Sequence, residues 1–207
     1  MHAKLLFDTS TDIILENERV LLRPLMQDDA VYLSAYVQEE PSLWKFALTP
    51  ITTVQEFDQY IITAIESRRL KNAYPFIVFD KLQNKYVGST RFYDIQLEHG
   101  STQLGYTWYS EKTWGTGLNE HCKFLLLSHA FETVGFERVE FRADNRNKRS
   151  IAAMQKIGCT VEGVLRNHLP TSDGTRRDSI VLSMLKEEWP TIKAGFLARI
   201  KMLDQNK

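Results

Sequence analysis

Apolar residues along the chain switch repeatedly between a spacing of two and a spacing of three to four, as strands alternating with helices do. Arg19-Val20-Leu21-Leu22-Arg23 reads as a strand that Pro24 stops, because proline has no N–H for the ladder. Asp28 and Asp29 open a short helix with Ala30, Leu33 and Val37 on one face. A second helix starts at Thr52 or Thr53, turns Val54, Phe57, Ile61, Ala64 and Ile65 inward, and ends near Asn72. Residues 74–79 and 85–95 are β-rich runs joined by the polar turn 80–84, and residues 103–109 alternate with Leu104, Tyr106 and Trp108 on one side. A longer helix over residues 117–134 stacks Leu118, Cys122, Leu125, Leu126 and His129, with Gly135 where a C-cap belongs.

Val139, Phe141 and Ala143 mark the next strand, and residues 150–157 a short helix ending at Gly158. Residues 160–166 and 178–185 pair as a hairpin with Asp173-Gly174 in the turn, and an amphipathic helix from Glu187 carries Trp189, Ile192, Phe196, Ile200 and Leu203. The order β α α β β β α β α β β α predicts one mixed α/β (α+β) domain over residues 17–186. Residues 1–16 form an N-terminal extension and residues 187–207 a C-terminal helix.

The charge balance narrows the partners. Lys plus Arg and Asp plus Glu number 26 each, so no global basic field draws the chain to nucleic acid or to an acidic membrane. Two cysteines, Cys122 and Cys159, make neither a metal cluster nor a disulfide framework, and no metal is expected. No apolar run reaches the roughly 18 residues of a membrane span, and the first residues lack a signal-peptide core. A soluble cytoplasmic protein is the expectation.

Chemistry concentrates in residues 108–119, where a strand runs through a turn containing Gly115 and Gly117 straight into a helix. Glycines let backbone approach a ligand, and the start of a helix offers unpaired N–H groups to phosphate. The segment is not a P-loop, since no Gly-Lys-Ser/Thr follows, and it lacks the third glycine of a dinucleotide fingerprint. Lys112-Thr113-Trp114-Gly115-Thr116-Gly117 resembles the pyrophosphate loop of the GNAT superfamily of acyl-CoA-dependent N-acyltransferases, and Asn147-Lys148-Arg149-Ser150 with Lys156-Ile157-Gly158 resembles its second motif. With Leu22-Arg23-Pro24-Leu25, Val87-Gly88-Ser89-Thr90-Arg91, Glu162-Gly163-Val164-Leu165-Arg166, Arg177-Asp178-Ser179 and Glu188-Trp189, the ordered set covers about residues 17–190. It is most similar to the branch that includes the ribosomal-protein N-terminal acetyltransferases RimJ and RimL.

The resemblance implies a mixed, largely antiparallel sheet with helices on both faces, and transfer of an acetyl group from acetyl-CoA to an amine acceptor by direct attack. Pantetheine would lie along Trp108, Tyr109 and Ser110, in a gap before the strand at residues 138–143. The loop residues Lys112, Trp114, Gly115, Thr116, Gly117, Leu118 and Asn119 would take the pyrophosphate, and Asn147, Arg149 and Ser150 would complete the cofactor site. Lys112 stands where the family has Gln or Arg, which suits a pyrophosphate. Met154 stands where many members place a tyrosine acid. Ser150 is the local substitute for that acid, or alternatively a helix-cap hydroxyl.

Gln103 replaces a frequent glutamate and is no base. Asp94, Glu98, His99 and His168 are nearby in sequence, and the base is left unassigned. Trp44 and Phe46 lie in a loop that covers the acceptor site in the family, and His168 joins them as a candidate acceptor contact. Arg166, His168, Arg176 and Arg177 against Asp173 form a basic lip, which favours a protein N-terminus or an amino-acid-like amine over a polyamine. A homodimer is left open. The rival reading is a non-catalytic CoA-binding module of the same fold.

Overall fold

The structure is a computed structural model that describes residue 5 and residues 7–49, 51–171 and 174–205. Eight strands among these residues form one sheet in the order β1-β2-β3-β4-β5-β6-β8-β7. They are β1 Leu15–Glu16, β2 Val20–Pro24, β3 Ala73–Asp80, β4 Lys85–Gln96, β5 Ser101–Tyr109, β6 Arg138–Asp144, β7 Thr160–Pro170 and β8 Arg176–Leu185. Every pairing is antiparallel except that of β5 with β6. Pro24 closes β2 opposite Phe76, past the two residues that β1 covers, so its missing N–H breaks no ladder. Asp173 of the expected β7–β8 turn lies outside the described residues, while Gly174 has the positive φ of 79° that such a turn needs.

Helices α1 Ala30–Leu33, α2 Ala35–Glu39 and α3 Val54–Arg69 cover one face. Thr53 caps α3 by accepting from Glu56 N–H, and the Glu56 carboxylate accepts in return from Thr53 N–H. Leu33, Val37, Phe57, Ile61 and Ala64 bury there against Ile77 and Trp108. The other face carries α4 Leu118–Ser128, whose last turn widens to π spacing over His129–Val134, and α6 Trp189–Gln205. Leu118, Cys122, Leu126, Trp189 and Phe196 share one cluster there with Phe76, Phe92 and Leu104. Helix α5 Lys148–Lys156 joins β6 to β7. Thus α6 lies in the main core, and its far end brings Leu203 against Gly117. No helix among the described residues is long and apolar enough to cross a membrane.

One expectation fails instructively. Leu104, Tyr106 and Trp108 do not share a side: Leu104 lies in the α4 cluster, Trp108 in the α3 cluster, and Tyr106 is 43% exposed. The register runs from Arg91↔Gly105 to Ser89↔Trp108, so β5 holds one residue more than β4 over this stretch. That extra residue is a β-bulge, and Tyr106 takes it up with φ of 49°.

Candidate active site

Strands β5 and β6 pair at only three positions, ending at Gln103↔Glu140. Beyond that point β5 follows β4 as far as Tyr109↔Gly88, while β6 follows β8 as far as Asp144↔Ser179. The two branches form a fork, and the bulge sits on its β5 side. From below, Lys123 of α4 reaches into it, donating from Nζ to Thr107 Oγ1 at 2.9 Å with the Phe141 ring 5.9 Å away. Burial pushes its pKa down to about 8.

The turn after β5 is built to hold its shape. Ser110 is fully enclosed. It donates its N–H to Val87 O and its hydroxyl to Glu40 Oε1, and its carbonyl accepts from both Thr113 N–H and Thr113 Oγ1. Ser110 therefore anchors the turn, its N–H and hydroxyl hydrogens both given to protein acceptors. Glu40 also accepts from Glu111 N–H at 2.6 Å, and Ser42 bonds the Glu111 carboxylate, so the segment carrying Trp44 is latched to the turn.

Gly115 and Gly117 both have positive φ, 75° and 88°. A Cβ on Gly115 would meet nothing within 4 Å, so open space faces it. A Cβ on Gly117 would instead meet Leu203 Cδ1 at 3.1 Å, which turns that glycine toward α6. Helix α4 starts on Gly117 without a side-chain cap, and the first inward bond is His121 N–H to Gly117 O. The amides of Leu118, Asn119 and Glu120 thus lack helical acceptors. Leu118 keeps its side chain in the core, while Lys112, Trp114 and Gly115 are exposed and Thr116 and Asn119 half-buried. Thr116 Oγ1 accepts from Nη2 of Arg19, whose Nη1 pairs with Asp80 in a fully buried ion pair.

On the other branch Asn147 caps α5 by accepting from Ser150 N–H at 3.1 Å. The Ser150 hydroxyl is therefore not the cap. Arg149 places its guanidinium 3.3 Å from the centroid of Trp114, and Trp114 Nε1 donates to Tyr109 O at 3.0 Å. This stack bridges the open end of the fork, and burial lowers the Arg149 pKa. Met154 is buried in the core.

The expected acceptor contacts are less uniform. Trp44 is buried, 4.9 Å from Trp108 and 5.7 Å from Phe57 between ring centroids, so it shapes the wall from within. Phe46 is half-buried. His168 bonds Ser179 Oγ at 3.0 Å, and desolvation with Arg142, Arg177 and Arg176 lowers its pKa. Of the basic lip, Arg176 spends its donors on the carbonyls of Asn167 and His168, whereas Arg177 is buried. Asp94 accepts from the Gln103 side-chain amide at 2.7 Å, beside the apex of the fork. Sequence reasoning missed Glu40, Arg19, Asp80 and Lys123. The only trace of them is a charge inside or beside an apolar run.

Residues 19–160 match the family model of the acetyltransferase (GNAT) domain. The uncharacterized N-acetyltransferase p20 of Bacillus licheniformis is 26% identical over 176 residues, which is 84% of this chain and 97% of that protein. A GCN5-related N-acetyltransferase from Brucella melitensis has a crystal structure that superposes with a TM-score of 0.83 at 25% identity, covering 90% of this chain and 84% of that one. RimJ of Mycobacterium smegmatis, solved in complex with CoA-disulfide, shares the fold with a TM-score of 0.76 at 21% identity, over 92% of this chain and 94% of that one.

Proposed function

The chain belongs to the GNAT family and is an acyl-CoA-dependent N-acetyltransferase, and from that premise we propose that it acetylates the primary amine of a protein N-terminus or of an amino-acid-like small molecule, in the cytoplasm. The observation that carries this reading is the fork, which opens beside an uncapped helix start and a glycine facing empty space. A diphosphate fits that place. The free amides at 118–120 point donors at it, the Gly115 cradle would be filled by any side chain, and the exposed Lys112 adds charge.

When bound, acetyl-CoA supplies an acetyl thioester. The Arg19–Asp80 pair holds Thr116 and so keeps the loop ready for it. Tyr109 offers backbone to the pantetheine arm, and Asn147, with its Oδ1 committed to the cap, keeps its amide donor for the same arm. The Ser150 hydroxyl makes no hydrogen bond among the described residues and stands at the start of α5, where it hands a proton to the departing sulfur. The proton it gives is replaced from the attacking amine through solvent. Catalysis is mainly proximity, the fork holding thioester and amine together in one gap.

The test is CoA-thiol release by the purified chain with acetyl-CoA, followed by mass spectrometry of a panel of peptides and amino acids. Amine-dependent release with a mass gain on the amine supports the reading. CoA binding without release for any amine would leave only the non-catalytic module.

A further inference from the structure

Two buried arginines near the mouth of the fork lack a contacting carboxylate among the described residues. Arg91, on β4 opposite Gly105, is 5% exposed, and its Nε and Nη2 have no hydrogen-bond partner. Its guanidinium lies 4.9 Å from the Tyr60 ring of α3 and 4.1 Å from the Tyr106 ring of the bulge. Arg177, on β8 of the other branch, is 8% exposed and donates Nε only to the hydroxyl of Ser179 at 3.0 Å. Burial lowers its pKa, an effect that the nearby Asp144 carboxylate, and after it Tyr93 and Tyr106, only partly offset. Neither arginine makes a salt bridge among the described residues, although carboxylates stand nearby. Glu140 is taken by Arg138 and Arg142, Asp144 by Arg146, and Asp94 by the amides of Gln96 and Gln103.

A desolvated guanidinium without a counter-ion is costly, and aromatic faces offset only part of that cost. Tyr106, half in solvent and stacked on Arg91, marks where an anion can arrive with a ligand. A carboxylate matches the vacant Nε–Nη2 edge with two parallel hydrogen bonds. Gly105, the partner of Arg91, is two residues beyond the apex pair at Gln103, a step of roughly 7 Å along a strand. A free amino acid carries amine and carboxylate in one small molecule, whereas a peptide N-terminus has its own α-carboxyl locked in an amide. Resting on the acetyl-transfer reading above, we propose that Arg91, with Arg177 from the other branch, holds the carboxylate of the acceptor, and that the acceptor is a free amino acid or a close amino-carboxylate.

The experiment compares amino acids with their carboxamides and with tripeptides, on the full chain. Acetylation kinetics form one arm, and calorimetric binding to the CoA-saturated protein forms the other. The amide's amine is the less basic and is more neutral at pH 8, so intrinsic reactivity works against the expected result. Wild type prefers each favoured acid over its amide about 10- to 100-fold in kcat/KM, the range of a charge-assisted pair. In R91Q the ratio falls to within about threefold through a raised KM for the acid, and R177Q lowers it less. R91K, which keeps charge but loses the paired geometry, retains only part of the preference and serves if R91Q fails to fold. Equal use of acids and amides, peptides as the sole acceptors, or an unchanged ratio in folded R91Q would each overturn the proposal. If CoA binds but no amine is acetylated, the acetyl-transfer reading fails. The binding arm then decides this one: a preference for acid over amide that R91Q abolishes supports the carboxylate site, and no preference sinks it.

Discussion

Gly115→Asn separates the two roles that the glycine loop combines. At φ of 75° a residue with a side chain pays for the left-handed region, about 1–2 kcal/mol for alanine but less for asparagine, whose short amide tolerates it. Because no atom lies within 4 Å of the added Cβ, no packing penalty joins that strain. The melting temperature should therefore fall by no more than about 4 °C, as about 1 kcal/mol does in a chain of this size. Ligand affinity should fall much further. The amide group would occupy the space facing the free N–H groups of α4 and displace at least one charge-assisted bond worth about 1.5–3 kcal/mol. Calorimetry should then show CoA binding weakened at least about tenfold.

Gly117→Ala is the contrasting variant. Its Cβ meets Leu203 at 3.1 Å with φ of 88°, so it should lose about 1–3 kcal/mol of stability by straining the loop and lifting α6. Wild-type CoA affinity in a folded Gly115→Asn variant would refute the cradle, and an unaltered melting curve for Gly117→Ala would refute the α6 contact.

Three further outcomes are expected. Ser150→Ala should lower kcat more than it raises the KM for acetyl-CoA, and equal kcat values in steady-state assays would return Ser150 to a passive place at the helix start. Asp80→Ala should cost about 3–5 kcal/mol in urea unfolding by stranding the buried Arg19, and should also raise the KM for acetyl-CoA through Thr116; a change under about 1 kcal/mol would contradict the buried pair. Burial brings the Lys123 pKa from its ordinary 10.5 down to about 8 in the folded chain, so the unfolded chain binds the extra proton between those values and stability from this group rises with pH across that window. Below pH 8 the penalty stands in full, about 3 kcal/mol. The difference between wild-type and Lys123→Met unfolding free energies should thus shrink or reverse in favour of wild type from pH 8 to 10. A flat difference would refute the burial argument.

Local physics made much of this protein legible from its residues. Thr53 announces the start of α3, and the glycines at 115 and 117 announce a turn into a helix, because each acts within a few residues of itself; α5 starts two residues earlier than expected, since its cap is Asn147 and not Ser150. The order of the longer strands and helices followed from hydrophobic period and turn residues, but not the two-residue β1 within the expected N-terminal extension, nor the break of the first helix into α1 and α2. The bulge did not, since residues 103–109 alternate correctly as a sequence and only the register against β4 shows that Tyr106 is extra. The fork was equally hidden in the residues themselves, being the place where β5 and β6 stop pairing while each stays bonded to its other neighbour. Arg19 with Asp80, Glu40 with Ser110, and Arg91 between Tyr60 and Tyr106 join residues far apart along the chain. A charge in a strand-like run reveals neither its burial nor its partner until the sheet closes. Those two quantities decide whether it braces a loop, as Arg19 does, or stays unpaired, as Arg91 does.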